Sequence, residues 1–147
     1  MSATLGSETA LQQFGGTDGR QNYIAYGTAR AAAALTTSYV ESTYYFDVGH
    51  YNSIDLLIKK TWADSTSSQW YVEWSHDATT WYREVGTAYS AGTNTVVPLL
   101  SSRTVGASEN LIEPHPILAR YVKVWAHKTG GTGADGMEIV IGMIESA

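Results

Sequence analysis

The chain has 147 residues, a net charge of −5 and only 16% charged side chains, enough sequence for one domain with an unaided core but not for two. It has no cysteine, which excludes disulfide staples, thiolate zinc sites and a thiol nucleophile. The acidic balance leaves no electrostatic footprint for nucleic acid or an anionic membrane, and no window approaches the ~18 apolar residues of a membrane span, so neither partner is expected.

The opening residues, MSATLGSETALQQFGG, lack the basic start and apolar run of a signal peptide, and none is expected. Residues 1–30 read as a polar N-terminal arm, with GGTDG at 15–19 and scattered anchors at Leu5, Leu11, Phe14, Tyr23, Ile24 and Tyr26. Phe14, Tyr23 and Tyr26 are candidate interface residues, docking on the parent domain or on a neighbouring subunit. The rest of the chain, 31–147, reads as a single β-sandwich domain. ARAAAAL at 29–35 is ambiguous, because alanine favours helix while the following TTSYV favours strand; strand is the preferred reading.

Beyond this point a period of two takes over. Tyr44, Phe46 and Val48 alternate with Tyr45 and Asp47, and Ile54, Leu56 and Ile58 alternate with Asp55, Leu57 and Lys59, each the pattern of a half-buried strand. DSTSS at 64–68 is a polar loop. QWYVEWSHDATTWYRE at 69–84 reads as a strand with Trp70, Val72 and Trp74 on one face, a tight polar turn, and a returning strand that starts at Trp81. SAGTN at 90–94 interrupts the pattern before a strand over 95–100, where Pro98 suggests an edge or a strand end. Residues 101–116 read as a long surface loop around Pro114 and Pro116. RYVKVWAH at 120–127 is a second clear strand, KTGGTGADG a turn, and 137–144 the final strand. About seven to eight antiparallel strands joined by turns define an all-β sandwich with an extended N-terminal arm.

Two resemblances follow from these segments. VEWSHDATTWYRE at 72–84 resembles the strand-turn-strand of discoidin-like, galactose-binding-like jelly rolls, in which a strand runs into a Ser-x-Asp-Gly-x-x-Trp turn. Ser75, Asp77 and Trp81 keep their positions, while Ala78 stands where that family has glycine. ARYVKVWA at 119–126 is similar to the family's later strand. The resemblance implies a jelly roll in which Ser75 and Asp77 accept turn hydrogen bonds and Trp81 covers the adjoining core. It carries no ligand set across, and fold alone does not supply a function.

More loosely, FDVGHYNSIDLLIKK, the SHDATTWYRE hairpin and RYVKVWAHKTGG look like small structural proteins of tailed-bacteriophage virions, of the decoration, neck or tail type. That resemblance implies symmetric homo-oligomers in the virion, with partners among the other virion proteins.

The constellations that would carry chemistry are thin. Ser75, His76 and Asp77 are consecutive and point in alternating directions, so they cannot line up as nucleophile, base and orienting acid. His50, His76, His115 and His127 lack metal-binding spacing, and Asp64, Asp135 and Glu138 lack that of a calcium loop. GGTGADG at 130–136 lacks the Gly-Lys-Ser/Thr ending and the helix of a phosphate loop. Glu73 and Glu84 could face each other across the hairpin, but surface carboxylates are commoner than a glycosidase pair.

Trp62, Trp81, Tyr82, Tyr89 and Trp125 would suit a sugar-stacking platform. The preferred reading places Trp70, Trp74 and Trp81 in the core and the outward aromatics, Trp125 among them, at protein contacts. The sequence therefore predicts a non-enzymatic assembly protein without cofactor or metal, with a carbohydrate-binding module or host-attachment domain as the alternative.

Overall fold

The computed structural model describes residues 2–10 and 23–145, and among them every regular element is a strand. In chain order these are β1 (Thr4–Leu5), β2 (Thr9–Ala10), β3 (Tyr23–Ala34), β4 (Val40–Glu41), β5 (Tyr44–Asp47), β6 (Ser53–Thr61) and β7 (Ser67–Ser75). They continue as β8 (Tyr82–Arg83), β9 (Val85–Ser90), β10 (Thr93–Pro98), β11 (Ser101–Arg103), β12 (Glu109–Pro116), β13 (Tyr121–Thr129) and β14 (Gly136–Ile144).

Two sheets form a β-sandwich. The first has the order β1-β5-β13-β7-β11, with β4 also on β13 and β8 on β7; the second has the order β12-β6-β14-β3-β2. Pairing is antiparallel except that β1 runs parallel to β5. β9 and β10 form a separate ribbon.

The period-two pattern fixes which side chains meet between the sheets. Phe46 of β5, Trp70, Val72 and Trp74 of β7, and Val122, Val124 and Ala126 of β13 share one buried cluster with Ile54, Leu56 and Ile58 of β6, Met137, Ile139, Ile141 and Met143 of β14, and Ala25 and Ala29 of β3. Shifting any of these strands by one residue would turn its apolar row to solvent, so the register is strongly specified. Two inward rows end in lysines: Lys60 Nζ donates to Val105 O at 2.5 Å and lies 3.6 Å from Glu109, and Lys128 Nζ donates to Gly133 O at 2.6 Å.

Two sequence expectations change, the first and third, and the second, left open between the parent domain and a neighbour, resolves for residues 3–10. First, β3 runs straight through the arm boundary drawn at residue 30, so the sandwich begins by Tyr23, and ARAAAAL is mostly strand. A bulge in the β3–β14 pairing brings Arg30 into the sheet, where Nε donates to Met137 O at 3.1 Å and Nη2 to Ala33 O at 3.2 Å and Ala34 O at 3.0 Å.

Second, residues 3–10 dock on their own domain. Ala3 N donates to Glu41 Oε1 at 2.7 Å, Thr4 N to Thr43 O at 3.0 Å and Gly6 N to Tyr45 O at 2.8 Å, while β2 pairs with β3. The segment thus adds one short strand to each layer.

Third, 101–116 is not one long loop but β11 and β12 joined by a short loop at 104–108. β12 lies at the edge of the second sheet, where only one side of the strand needs ladder donors and the missing N–H groups of Pro114 and Pro116 cost little.

Candidate assembly surfaces

The ribbon of β9 and β10 stands apart from the sandwich. Its strands hydrogen-bond to each other, Val85↔Pro98 through Ser90↔Thr93, and join neither sheet. The connecting residues Ala91 and Gly92 both have positive φ, 50° and 79°, the type I′ geometry that matches strand twist. Alternation divides the ribbon into two unlike faces. Gly86, Ala88, Ser90, Thr93, Thr95 and Val97 form a face of small side chains, half of them polar; Val85, Thr87, Tyr89, Asn94, Val96 and Pro98 form the other, bulkier one. Both faces are open to solvent, and on the second Val85 is 58%, Tyr89 73% and Val96 69% exposed. A two-stranded ribbon is marginal in water by itself, and an exposed apolar face on one marks a surface that finds cover.

The root of the ribbon is held by a backbone hydrogen bond and by polar side chains. Leu99 N donates to Glu84 O at 2.9 Å and Arg83 Nη2 to Leu99 O at 3.2 Å. His115 on β12 sits between two carboxylates, its Nδ1 3.4 Å from Glu84 Oε1 and its Nε2 2.6 Å from Glu113 Oε1. The same acids serve the indoles of the core, because Trp74 Nε1 donates to Glu84 at 2.6 Å and Trp70 Nε1 to Glu113 at 3.1 Å; Ser101 Oγ also donates to Glu113. Burial alone would lower the His115 pKa, but the hydrogen bonds and charges of Glu113 and Glu84 outweigh it and hold it above its ordinary value. For Glu113 burial acts upward, and the bonds from His115, Ser101 and Trp70 carry its pKa below the usual carboxylate value.

Sequence reasoning missed this cluster. The signal was there in Trp70 and Trp74, two inward indoles whose N–H groups need acceptors. Reading β12 as a loop hid where one of those acceptors, Glu113, comes from.

The other candidates are dispersed. Ser75 Oγ accepts from Asp77 N at 3.3 Å and Ala78 N at 2.9 Å and donates to Asp77 Oδ1 at 3.0 Å, and that oxygen accepts from Thr79 N and Thr80 N at 2.9 Å each. Ala78 takes φ 61°, the left-handed conformation a glycine would adopt without strain.

Trp81 is not in the core. Tyr82 pairs with the inward Trp74, so its neighbour Trp81 takes the outer face, edge-on to Tyr45 at 5.4 Å. There Lys123 Nζ lies 4.3 Å from the Trp81 ring centre and 5.4 Å from that of Trp125, and it is paired with Glu41 at 2.8 Å. Trp125 also donates to the Glu73 carboxylate and stacks on Tyr71 at 6.1 Å, so its polar edge and one face are used within the chain.

Glu73 and Glu84 look to opposite faces of the sheet. Trp62, Tyr82 and Tyr89 lie elsewhere, Trp62 donating to Ser65 O at 3.1 Å, so the five aromatics make no common platform. Tyr26 is 37% exposed on the outside of the second sheet, Tyr23 opens β3, and Phe14 lies outside the described residues.

At one end of the sandwich an open hollow of about 480 Å³ is lined by His50, His76, Leu118 and the Asp47–Arg120 pair, which is 2.9 Å apart. Among the described residues no group of three or more His, Asp or Glu side chains is arranged to hold a metal ion. Fold and surfaces together define an all-β sandwich carrying a projecting amphipathic ribbon. No known protein family, curated protein or solved structure matches the chain.

Proposed function

We propose that this chain is a non-enzymatic structural protein of a virion, a jelly-roll sandwich serving as a capsid decoration, neck or tail component through symmetric assembly with itself and with other virion proteins. The observation that carries the assembly half of this reading is the β9–β10 ribbon, whose apolar face has no cover within the described chain. The virion half rests on the likeness of 46–60, 75–84 and 120–131 to tailed-phage structural proteins. Its mechanism is burial of apolar surface, and its specificity comes from the shape of the ribbon and from the clamp at its root.

The test exploits the closeness of the ribbon's two ends. Replacing residues 85–98 by Asn-Gly joins Glu84 to Leu99 through a tight turn closed by the bond that Leu99 N already donates to Glu84 O at 2.9 Å. The shortened protein is expected to stay folded but to sediment as a monomer and to be lost from particles. Unchanged assembly after that replacement would sink the reading.

A carbohydrate-binding role is the second reading. It is favoured by the hollow beside His50, His76 and Arg120, where polar side chains meet the apolar Leu118 as sugar hydroxyls and ring faces require. A glycan array discriminates the two, because binding there would be unaffected by removal of the ribbon.

A further inference from the structure

The ribbon is an excursion from a single edge strand. β8 and β11 both run antiparallel to β7, with Arg83 opposite Glu73 and Ser101 opposite Trp70, so residues 84–100 stand where β7 has only Tyr71 and Val72. Because β9 and β10 pair with each other and with neither sheet, the angle of the ribbon to the sandwich is set at its two legs. Both legs meet β12. Glu84, the residue before β9, lies 3.4 Å from His115 Nδ1, and Ser101, the first residue of β11, donates to Glu113, whose Oε1 lies 2.6 Å from His115 Nε2.

A histidine flanked by two carboxylates fits its place only as the cation. The imidazolium has two N–H groups, one for each acid, whereas the neutral ring has one N–H and one lone pair. Glu113 sits within β12, opposite Leu56, and is held by Trp70 and Ser101 as well, so it keeps the remaining N–H. Nδ1 then turns its lone pair on Glu84, and two carboxylates share a largely buried site with no cation between them. Glu84 is the one that can leave. It lies in the connection between β8 and β9, and the hollow of about 160 Å³ that it lines with Trp74 opens to solvent, where water replaces it on the indole N–H.

We propose that His115 is a proton-operated latch on the ribbon: doubly protonated it ties both legs to β12, and on losing a proton it frees Glu84, so that the ribbon swings on the remaining contact of Arg83 with Leu99 O. The latch acts on the ribbon irrespective of what covers its apolar face and is independent of the assembly reading. Among the described residues, the charged groups that face the ring are Glu84 and Glu113; β6 presents Ile54 opposite it, β7 Trp70 and Trp74, and β11 Ser101. Arg83 of β8 lies over the Tyr71 ring at 3.8 Å, and His76 and Tyr82 line the same hollow as Glu84. Burial opposes the cation, but the two acids outweigh it, so the second proton is kept above the ordinary value of about 6.5 and the ribbon is released as pH rises beyond that.

The chain has no cysteine, so spin labels attach only where one is introduced. Thr95→Cys on the ribbon and Asn110→Cys on β12, both exposed, carry nitroxides in the full-length protein, diluted into unlabelled protein so that only distances within one chain are read. Double electron–electron resonance is expected to show a narrow distance distribution at pH 5.5 that becomes broad at pH 9, with the change centred where His115 itself titrates by NMR. His115→Gln should abolish the pH dependence. Glu84→Gln should abolish it in the opposite sense, narrow at both pH values, because the amide accepts from Trp74 and donates to the neutral ring.

An unmodified protein with the same distribution at both pH values overturns the latch. Broadening with pH that survives in His115→Gln also overturns it and hands the switch to His76. Broadening of Glu84→Gln at pH 9 overturns the part given to the Glu84 carboxylate. None of these results bears on whether the apolar face of the ribbon is an assembly surface, which removal of the ribbon tests by itself.

Discussion

Asp64 and Asp135 each hold the loop that carries the other. Asp135 accepts from Ala63 N at 2.9 Å, Asp64 N at 3.2 Å, Ser65 N at 3.3 Å and Ser65 Oγ at 2.7 Å, while Asp64 accepts from Thr132 N at 3.0 Å and Gly133 N at 2.8 Å. The two loops at this end of the sandwich are thereby locked without a metal-like arrangement of oxygens, since the carboxylates face N–H and O–H donors. Lys128 Nζ lies 3.7 Å from Asp135 and adds its charge.

This lock makes the protein acid-sensitive. Burial alone would raise the Asp135 pKa, but the donors from Ala63, Ser65 and Asp64 overcome it and leave the carboxyl well below the usual range. Its contribution is complete above the unfolded-state value of about 3.9 and fades as pH falls through the depressed folded-state value. Asp135→Asn is expected to cost about 1–3 kcal/mol at pH 7, and the gap to the unmodified protein should close toward pH 2. Urea unfolding across that range measures it; a gap independent of pH would contradict the assignment.

The clamp at the ribbon root runs the other way. His115 has a raised folded-state pKa, so its stabilisation is complete below the unfolded-state value of about 6.5 and is lost as pH rises through the folded-state one. His115→Gln should destabilise by about 1–3 kcal/mol at pH 5.5 and by less at pH 9. Amide exchange at Glu84 and Leu99 should quicken with pH beyond the intrinsic base-catalysed increase in the unmodified protein, and not in the variant.

Two alanines occupy left-handed backbone, Ala78 in the Ser75–Asp77 turn and Ala91 at the ribbon tip. Ala78→Gly is expected to stabilise the sandwich by about 0.5–1 kcal/mol, the relief of strain exceeding the entropy that glycine adds to the unfolded chain. Ala91→Gly should leave the global melting temperature unchanged, because the ribbon is outside both sheets, but slow amide exchange along β9 and β10.

Phe46 has no room beside it. Cβ atoms on Gly6 or Gly27 would both run into its ring, so the N-terminal segment and β3 close on this side chain from opposite layers. Gly27→Ala should cost about 1–3 kcal/mol by overpacking. Adding Phe46→Leu to that variant should recover part of the loss; additive losses in the double-mutant cycle would show that the two residues do not meet.

What could be read from the sequence follows from this physics. Ile54, Leu56 and Ile58, like Val122, Val124 and Ala126, announce their strands because aliphatic side chains alternate with mostly polar or amphipathic ones, and alternation is visible without knowing the partner. β12 was hidden because proline is a breaker everywhere except at an edge, and being at an edge is a property of the finished sheet. Of the ribbon, β10 was legible as the strand expected over 95–100, while β9 was hidden by its small and polar residues and the hairpin by an Ala-Gly turn in place of Asn-Gly. The cluster of Glu84, Glu113 and His115 joins residues about thirty positions apart, and no local pattern encodes such a meeting.

The strand order has a consequence for biosynthesis. β13 lies between β5 and β7 in one layer and β14 lies between β6 and β3 in the other, so the latest described strands occupy the middle of both. While a ribosome is still translating the first 120 residues, neither layer has its centre, and the earlier strands must wait with their edges unsatisfied. Folding therefore waits for β14 and is non-local and comparatively slow, and the nascent chain is at its most aggregation-prone just before residue 144 emerges from the exit tunnel.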